Sequence, residues 1–142
     1  MTLSTPTRFH PLRPYGRPDR PAFHEHIRRT RRLDQVEDAL LRKVNAVYLG
    51  MTGFLDEMLG RLLDTLEQTG LSSSTAVFAF ADHGDYAGDY GLVEKWPSAL
   101  DDTLTRVPLI IREPGARAGH VIRGPVALQD VLATVLELIG VP

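Results

Sequence analysis

The chain has 142 residues, 43% of them hydrophobic and 24% charged, with a formal net charge of -2. This is the profile of an ordinary globular domain with one core, and no run of about 18 apolar residues is present to span a membrane. The absence of cysteine removes disulfides, thiolate metal sites and a cysteine nucleophile.

The first residues, Met1 to Pro6, lack an apolar core behind a basic stretch, so no signal peptide is expected and the default compartment is the cytoplasm. Residues 1–22 carry Pro6, Pro11, Pro14, Pro18 and Pro21. Proline fixes φ and removes a donor, so this segment is expected to be extended and loosely held. Residues 1–33 hold eight arginines against Asp19 and Glu25. A basic arm on an acidic body is one signature of an anionic partner. No aromatic platform or groove-reading helix accompanies it, so no nucleic-acid partner is expected. Arg28–Arg32 is read as a solvated helix start. His24-Glu25-His26 is not read as a metal site, because residues two apart do not share a helix face.

From Asp34 to Gln68, apolar residues recur at spacings of three and four, from Val44 through Tyr48, Met51, Leu55, Leu59 and Leu62 to Leu66. The spacing predicts one long amphipathic helix, stopped by Gly70. Thr75–Ala81 is continuously apolar and predicts a strand buried on both faces, as in parallel sheets. Gly84, Gly88 and Gly91 mark a loop, and Asp101-Asp102 a turn or a residue pair that orients a ligand. Val107–Ile111 predicts a second strand and Val121-Ile122 a short one. Leu128 to Ile139 predicts a second amphipathic helix ended by Gly140. The order of helix, buried strand, loop, strand and helix reads as α/β, with mostly parallel strands flanked by amphipathic helices.

Asp82 and His83 follow the apolar strand directly, where ligands bind in open α/β sheets. A carboxylate there is costly to bury without a partner, and a divalent cation is a natural one. Carboxylates suit calcium or magnesium, and imidazole suits manganese, zinc or iron, so the pair implies a divalent metal without naming it. The plainer alternative is a turn-capping Asp82 beside a surface His83.

The full run is Asp82-His83-Gly84-Asp85-Tyr86-Ala87-Gly88-Asp89-Tyr90-Gly91-Leu92-Val93-Glu94-Lys95. It resembles the late sulfatase motif D-H-G-x-x-x-G-x-x-G-L-x-x-K at every fixed position. Tyr48–Leu63, Arg106–Ile111 with Pro114-Gly115, and Gly124–Pro142 are similar to segments that flank that motif in the family, so the resemblance covers roughly residues 20–142. It implies a partial alkaline-phosphatase-like sandwich, with 1–22 as a Pro/Arg-rich segment and 23–142 as the C-terminal portion of a sulfatase catalytic domain. It implies hydrolysis of a sulfate monoester, on a small molecule or a glycan. By position, Asp82 and His83 would be metal ligands and Lys95 would contact the sulfate group. The implied cofactor is a divalent ion, calcium by resemblance, with manganese as the alternative. Tyr90 stands where relatives often have His, which bears on substrate contacts.

Family members also carry an early Asp-Asp pair and a C/S-x-P-x-R nucleophile motif. No early Asp-Asp pair exists here. Ser4-Thr5-Pro6-Thr7-Arg8 fits S-x-P-x-R, but no carboxylate precedes it and Pro11 and Pro14 break any following helix, so chance similarity is the simpler account. A truncated sulfatase is therefore expected, completed by a missing N-terminal half or by a second copy. A phosphonate monoester or phosphodiester hydrolase of the same superfamily, and an inactive fragment, are the other two readings.

Overall fold

The computed structural model describes residues 11–15, 21–95 and 100–141. Ser4 to Arg8 and Asp19 lie outside them. In chain order the elements are α1 (Ala22–Thr30), α2 (Asp38–Gln68), β1 (Val77–Phe80), α3 (Asp102–Thr105), β2 (Leu109–Arg112) and α4 (Gln129–Leu138), with short 3-10 turns between. The chain thus combines helices with a small sheet. No helix among the described residues is long and apolar enough to cross a membrane.

The long helix α2 begins four residues later than its periodicity suggested, because Leu33–Gln35 forms a separate 3-10 turn. At 31 residues it is about 46 Å long. It ends where Gly70 adopts φ 72° and donates its N–H to Glu67 at 3.1 Å, the left-handed stop expected of glycine. Gly140 closes α4 in the same way, with φ 72° and a 3.1 Å bond to Glu137. Val121-Ile122 is coil and exposed rather than a strand.

Among the described residues the sheet has two strands, β1 and β2, and they pair antiparallel with Val77 opposite Arg112 and Phe80 opposite Leu109. The expected parallel pairing is not what joins these two. A run of apolar residues reports burial and not strand direction, which is why sequence reading missed it. Nor is β1 buried on both faces: Val77, Phe78 and Ala79 are half-buried and Phe80 is exposed. One antiparallel neighbour and the overlying part of α2 cover only part of it. Leu59 and Leu63 of α2 look across a gap of about 410 Å³ onto Val77, Ala79 and Ile110.

The core lies elsewhere. Ile27, Tyr86, Tyr90, Leu92 and Leu104 form one buried cluster, with Leu33 against it. Three of the five belong to the glycine-marked loop after β1. Residues 11–15, part of the segment expected to be loosely held, contribute to this unit. Tyr90 donates its N–H to the Arg13 carbonyl at 2.9 Å, and Arg13 donates its own N–H to Asp89 and its guanidinium to the Tyr90 hydroxyl. The hydroxyl contact and the charge of Asp89 hold the Arg13 guanidinium even more firmly protonated than usual. Arg28, expected to be solvated, is buried, because its guanidinium stacks on the Tyr15 ring and fills the space that Gly91 leaves by having no side chain.

Candidate functional site

The site grows from the end of β1. Asp82 is the second residue past the strand, and its side chain is 83% exposed against 38% for His83. The His83 N–H turns back onto the Asp82 carboxylate at 3.0 Å. His83 Nδ1 lies 2.7 Å from the Gly84 carbonyl. A carbonyl can only accept, so Nδ1 carries the proton, and in the neutral ring Nε2 presents a lone pair. That Nε2 is 3.6 Å from Asp82 Oδ1. In the neutral ring these two acceptors face each other and repel unless a proton or a metal cation sits between them. Metal–ligand distances of about 2.0–2.6 Å set two ligands of one ion roughly 3–4 Å apart, so the spacing and the tautomer both suit a shared divalent cation. The donor set is one carboxylate and one imidazole. No group of three or more His, Asp or Glu among the described residues could hold a metal, so these two alone would supply only part of a coordination shell.

Gly84 explains how the rest of the site is held. A Cβ at this position would stand 1.9 Å from the Thr103 carbonyl oxygen. With no side chain, Gly84 instead donates its N–H to the Leu104 carbonyl at 2.8 Å. This contact brings α3 and the segment after it alongside Asp82 and His83. The result is a wide cavity of about 1220 Å³ whose lining includes Asp82, His83 and Lys95 together with Asp102 and Arg106. Leu104, Leu109 and Pro125–Leu128 supply its apolar wall. The three residues singled out from the sequence therefore share one cavity.

Lys95 reaches the cavity because the loop folds back on itself. Tyr86 donates its N–H to the Glu94 carbonyl at 3.2 Å, and Gly88 donates to Leu92 at 2.8 Å. Ala87, Tyr90 and Glu94 take positive φ values of 46°, 60° and 66°. Non-glycine residues seldom occupy that region, and such strain clusters at functional loops. The Asp85 carboxylate accepts the Ala87 N–H at 2.7 Å and braces the first of these turns.

Other expectations resolve differently. Tyr90 does not line the cavity; its ring is buried beside His24 and Tyr86. His24 and His26 do not converge, since His24 is buried and His26 is exposed next to Phe23. Asp101 takes the turn role offered for the Asp101-Asp102 pair. The Asp101 carbonyl accepts the Leu104 and Thr105 N–H groups and starts α3, while Asp102 faces the cavity. Arg106, which the sequence places only at the start of a strand segment, also lines the cavity. Its charge next to an apolar strand was the available signal.

A family model described as Sulfatase matches residues 8–141. The chain is 36% identical over 102 residues to arylsulfatase K of Danio rerio, covering 72% of this chain and 19% of the relative. It is 31% identical over 107 residues to the multifunctional alkaline phosphatase superfamily protein PehA of Trinickia caryophylli, covering 74% and 20%. It is 33% identical over 106 residues to choline-sulfatase of Rhizobium meliloti, covering 75% and 20%. The chain spans about a fifth of the length of these curated relatives.

Proposed function

Because the chain belongs to the sulfatase family, we propose that it carries the late metal- and anion-binding part of a site that hydrolyses a sulfate monoester. Asp82 and His83 are two ligands of a divalent cation, calcium in the first instance and manganese as the alternative. Lys95 binds the sulfuryl oxygens. The observation that carries the reading is His83 Nε2, 3.6 Å from the Asp82 carboxylate, in one cavity with Lys95. A divalent cation supplies Lewis-acid polarisation of an ester oxygen and neutralises charge on it.

The roles of the chain's own residues follow from their chemistry. The Gly84 carbonyl fixes the His83 tautomer and so keeps Nε2 free to bind. The Lys95 ammonium, a compact charge on a flexible stem, stabilises negative charge as it develops on the sulfuryl and leaving oxygens. The apolar wall from Leu104 to Leu128 accepts the organic part of the ester and thins the water around it. Asp102 and Arg106 add one charge of each sign, so the cation decides the sign of the cavity.

The same proposal extends to the fold. Residues 23–142 form a portion of a sulfatase catalytic domain, and β1 and β2 belong to a larger, mostly parallel sandwich. Support comes from apolar side chains left open on α2 and α4, including Phe54, Leu55, Leu62 and Leu132, each more than half exposed. Exposed apolar area on this scale marks a surface that another part of a catalytic domain, or a second copy, covers. Hydrolysis of a phosphonate monoester or phosphodiester is the second reading, favoured by the match to a multifunctional superfamily member. Steady-state assays of the chain with calcium or manganese on an aryl sulfate, a phosphonate monoester and a phosphodiester separate the two. Sulfate-ester turnover that vanishes in Asp82→Asn and Lys95→Ala supports the proposal. Turnover of the phosphorus esters alone replaces it with the second reading. No turnover of any substrate, with cation binding intact, leaves a binding fragment in place of an enzyme.

A further inference from the structure

His24 has no part in the chemistry proposed above, yet it is one of the most deeply buried polar side chains described, at 3% exposure. It enters from α1, far from the motif loop in sequence. Its ring stands edge-on to Tyr86, with centroids 5.6 Å apart, and stacks near Tyr90 at 6.2 Å. His24 Nε2 is 3.1 Å from the Tyr86 hydroxyl, and that hydroxyl donates to Asp101 Oδ2 at 3.3 Å. The phenol has one proton, and it is committed to Asp101. His24 Nε2 also lies 3.5 Å from Asp101 Oδ2. Both oxygens facing Nε2 can accept, so Nε2 carries the proton, and His24, Tyr86 and Asp101 form one closed hydrogen-bonded cluster. Each donation in such a cluster polarises the next, so the links strengthen one another.

That cluster joins two of the segments that carry the lining of the cavity. Tyr86 lies in the loop that carries Asp82 and His83, and its backbone N–H holds Glu94, the residue before Lys95. Asp101 caps α3, whose first residue Asp102 and the following Arg106 also line the cavity. The one backbone bond noted across the gap, Gly84 to Leu104, runs parallel to this side-chain bridge. Tyr86 is thus tied to all three parts of the cavity, and His24 fixes where the Tyr86 hydroxyl points.

We propose that His24 is a positioning residue that, through Tyr86 and Asp101, sets the separation of these two lining segments and the approach of Lys95 to Asp82 and His83. The bridge itself is independent of what the cavity binds. Its consequence for cation binding rests on the reading of Asp82 and His83 as ligands.

Three variants of the full chain test this. His24→Phe keeps a ring against Tyr90 and removes the donor. His24→Gln keeps an N–H donor. Tyr86→Phe, the gentler change, removes the hydroxyl and keeps the ring. Amide hydrogen exchange is read at Gly84 and compared with Leu63 inside α2. A lost buried hydrogen bond of this kind corresponds to about a tenfold rise in local opening. The Gly84 amide should therefore exchange about tenfold faster in His24→Phe and in Tyr86→Phe, with Leu63 unchanged and His24→Gln close to wild type. The double variant should be no faster than His24→Phe alone, because Tyr86→Phe removes part of the same cluster. Manganese affinity, read by electron paramagnetic resonance, should weaken several-fold in His24→Phe and recover in His24→Gln. Unchanged Gly84 exchange overturns the proposal, as does equal acceleration in His24→Gln, which marks general loosening of the core. Faster Gly84 exchange with wild-type manganese affinity overturns its functional half. If wild type and Asp82→Asn alike fail to bind manganese, the ligand reading fails, and the bridge is judged on exchange alone.

Discussion

Replacing Gly84 with alanine tests how the cavity is assembled. Gly84 is not among the positive-φ glycines, so its backbone suits alanine, and the change alone would stabilise by about 0.4–1 kcal/mol through the unfolded state. The surroundings oppose it. The new Cβ would lie 1.9 Å from the Thr103 oxygen and 3.1 Å from the Leu104 Cα. Both are backbone atoms and cannot swing aside as a side chain could. The 103–104 segment must retreat by roughly 1 Å or more, at an overpacking cost of about 1–3 kcal/mol. That retreat also strains the Gly84–Leu104 hydrogen bond, worth about 0.5–1.5 kcal/mol. The net loss is about 1–4 kcal/mol, or a fall in Tm of roughly 4–15 °C for a chain of this size. Gly53→Ala is the control. Nothing stands within 4 Å of its Cβ position inside α2, so it should raise stability by about 0.5–1 kcal/mol. Thermal and urea unfolding read both. A Gly84→Ala protein as stable as wild type would refute the close approach of α3 to the motif loop.

Two further outcomes follow from the same geometry. Burial, and then the charge of Asp85, raise the Tyr48 phenol above its ordinary range. The folded state therefore holds that proton more tightly than the unfolded chain. The associated stability is complete below about pH 10 and is lost as pH climbs through the window above it. Urea unfolding at pH 8 and 11 should show Tyr48→Phe losing less stability than wild type. Leu55 and Leu62 on α2 are 66% and 51% exposed, so the wild-type chain should self-associate or precipitate. Changing both to Lys should shift sedimentation toward monomer, and a wild type that is already monodisperse would count against the covered-surface reading.

What the sequence conveyed was mostly local. The end of α2 at Gly70 and of α4 at Gly140 needed only a periodic face and a glycine that accepts positive φ. That Asp82, His83 and Lys95 share one cavity was legible because their spacing sits in one motif. The core was not legible, because it joins distant segments. His24 looked like half of a surface His-Glu-His, and Tyr86 and Tyr90 looked like loop residues between glycines. Only the meeting of α1 with that loop makes them interior. Arg28 sat in a run of arginines that suggested solvent, and its burial depends on Tyr15 and on the missing side chain of Gly91. Strand direction was invisible for a similar reason. An apolar run such as Val77–Phe80 states how much of it avoids water, and the partner's orientation comes from Leu109–Arg112. The glycine of Asp-His-Gly was fixed in the motif, but its cause, the Thr103 carbonyl, lies in another segment.

The claim that Asp82 and His83 hold one cation is tested most directly by manganese-induced broadening in the NMR spectrum of the full chain. Signals of Asp82, His83 and Gly84 should broaden first and together, and added sulfate should then move the Lys95 signals only when the metal is present. Broadening centred on His24 and His26, or spread evenly over the exposed carboxylates, would contradict it.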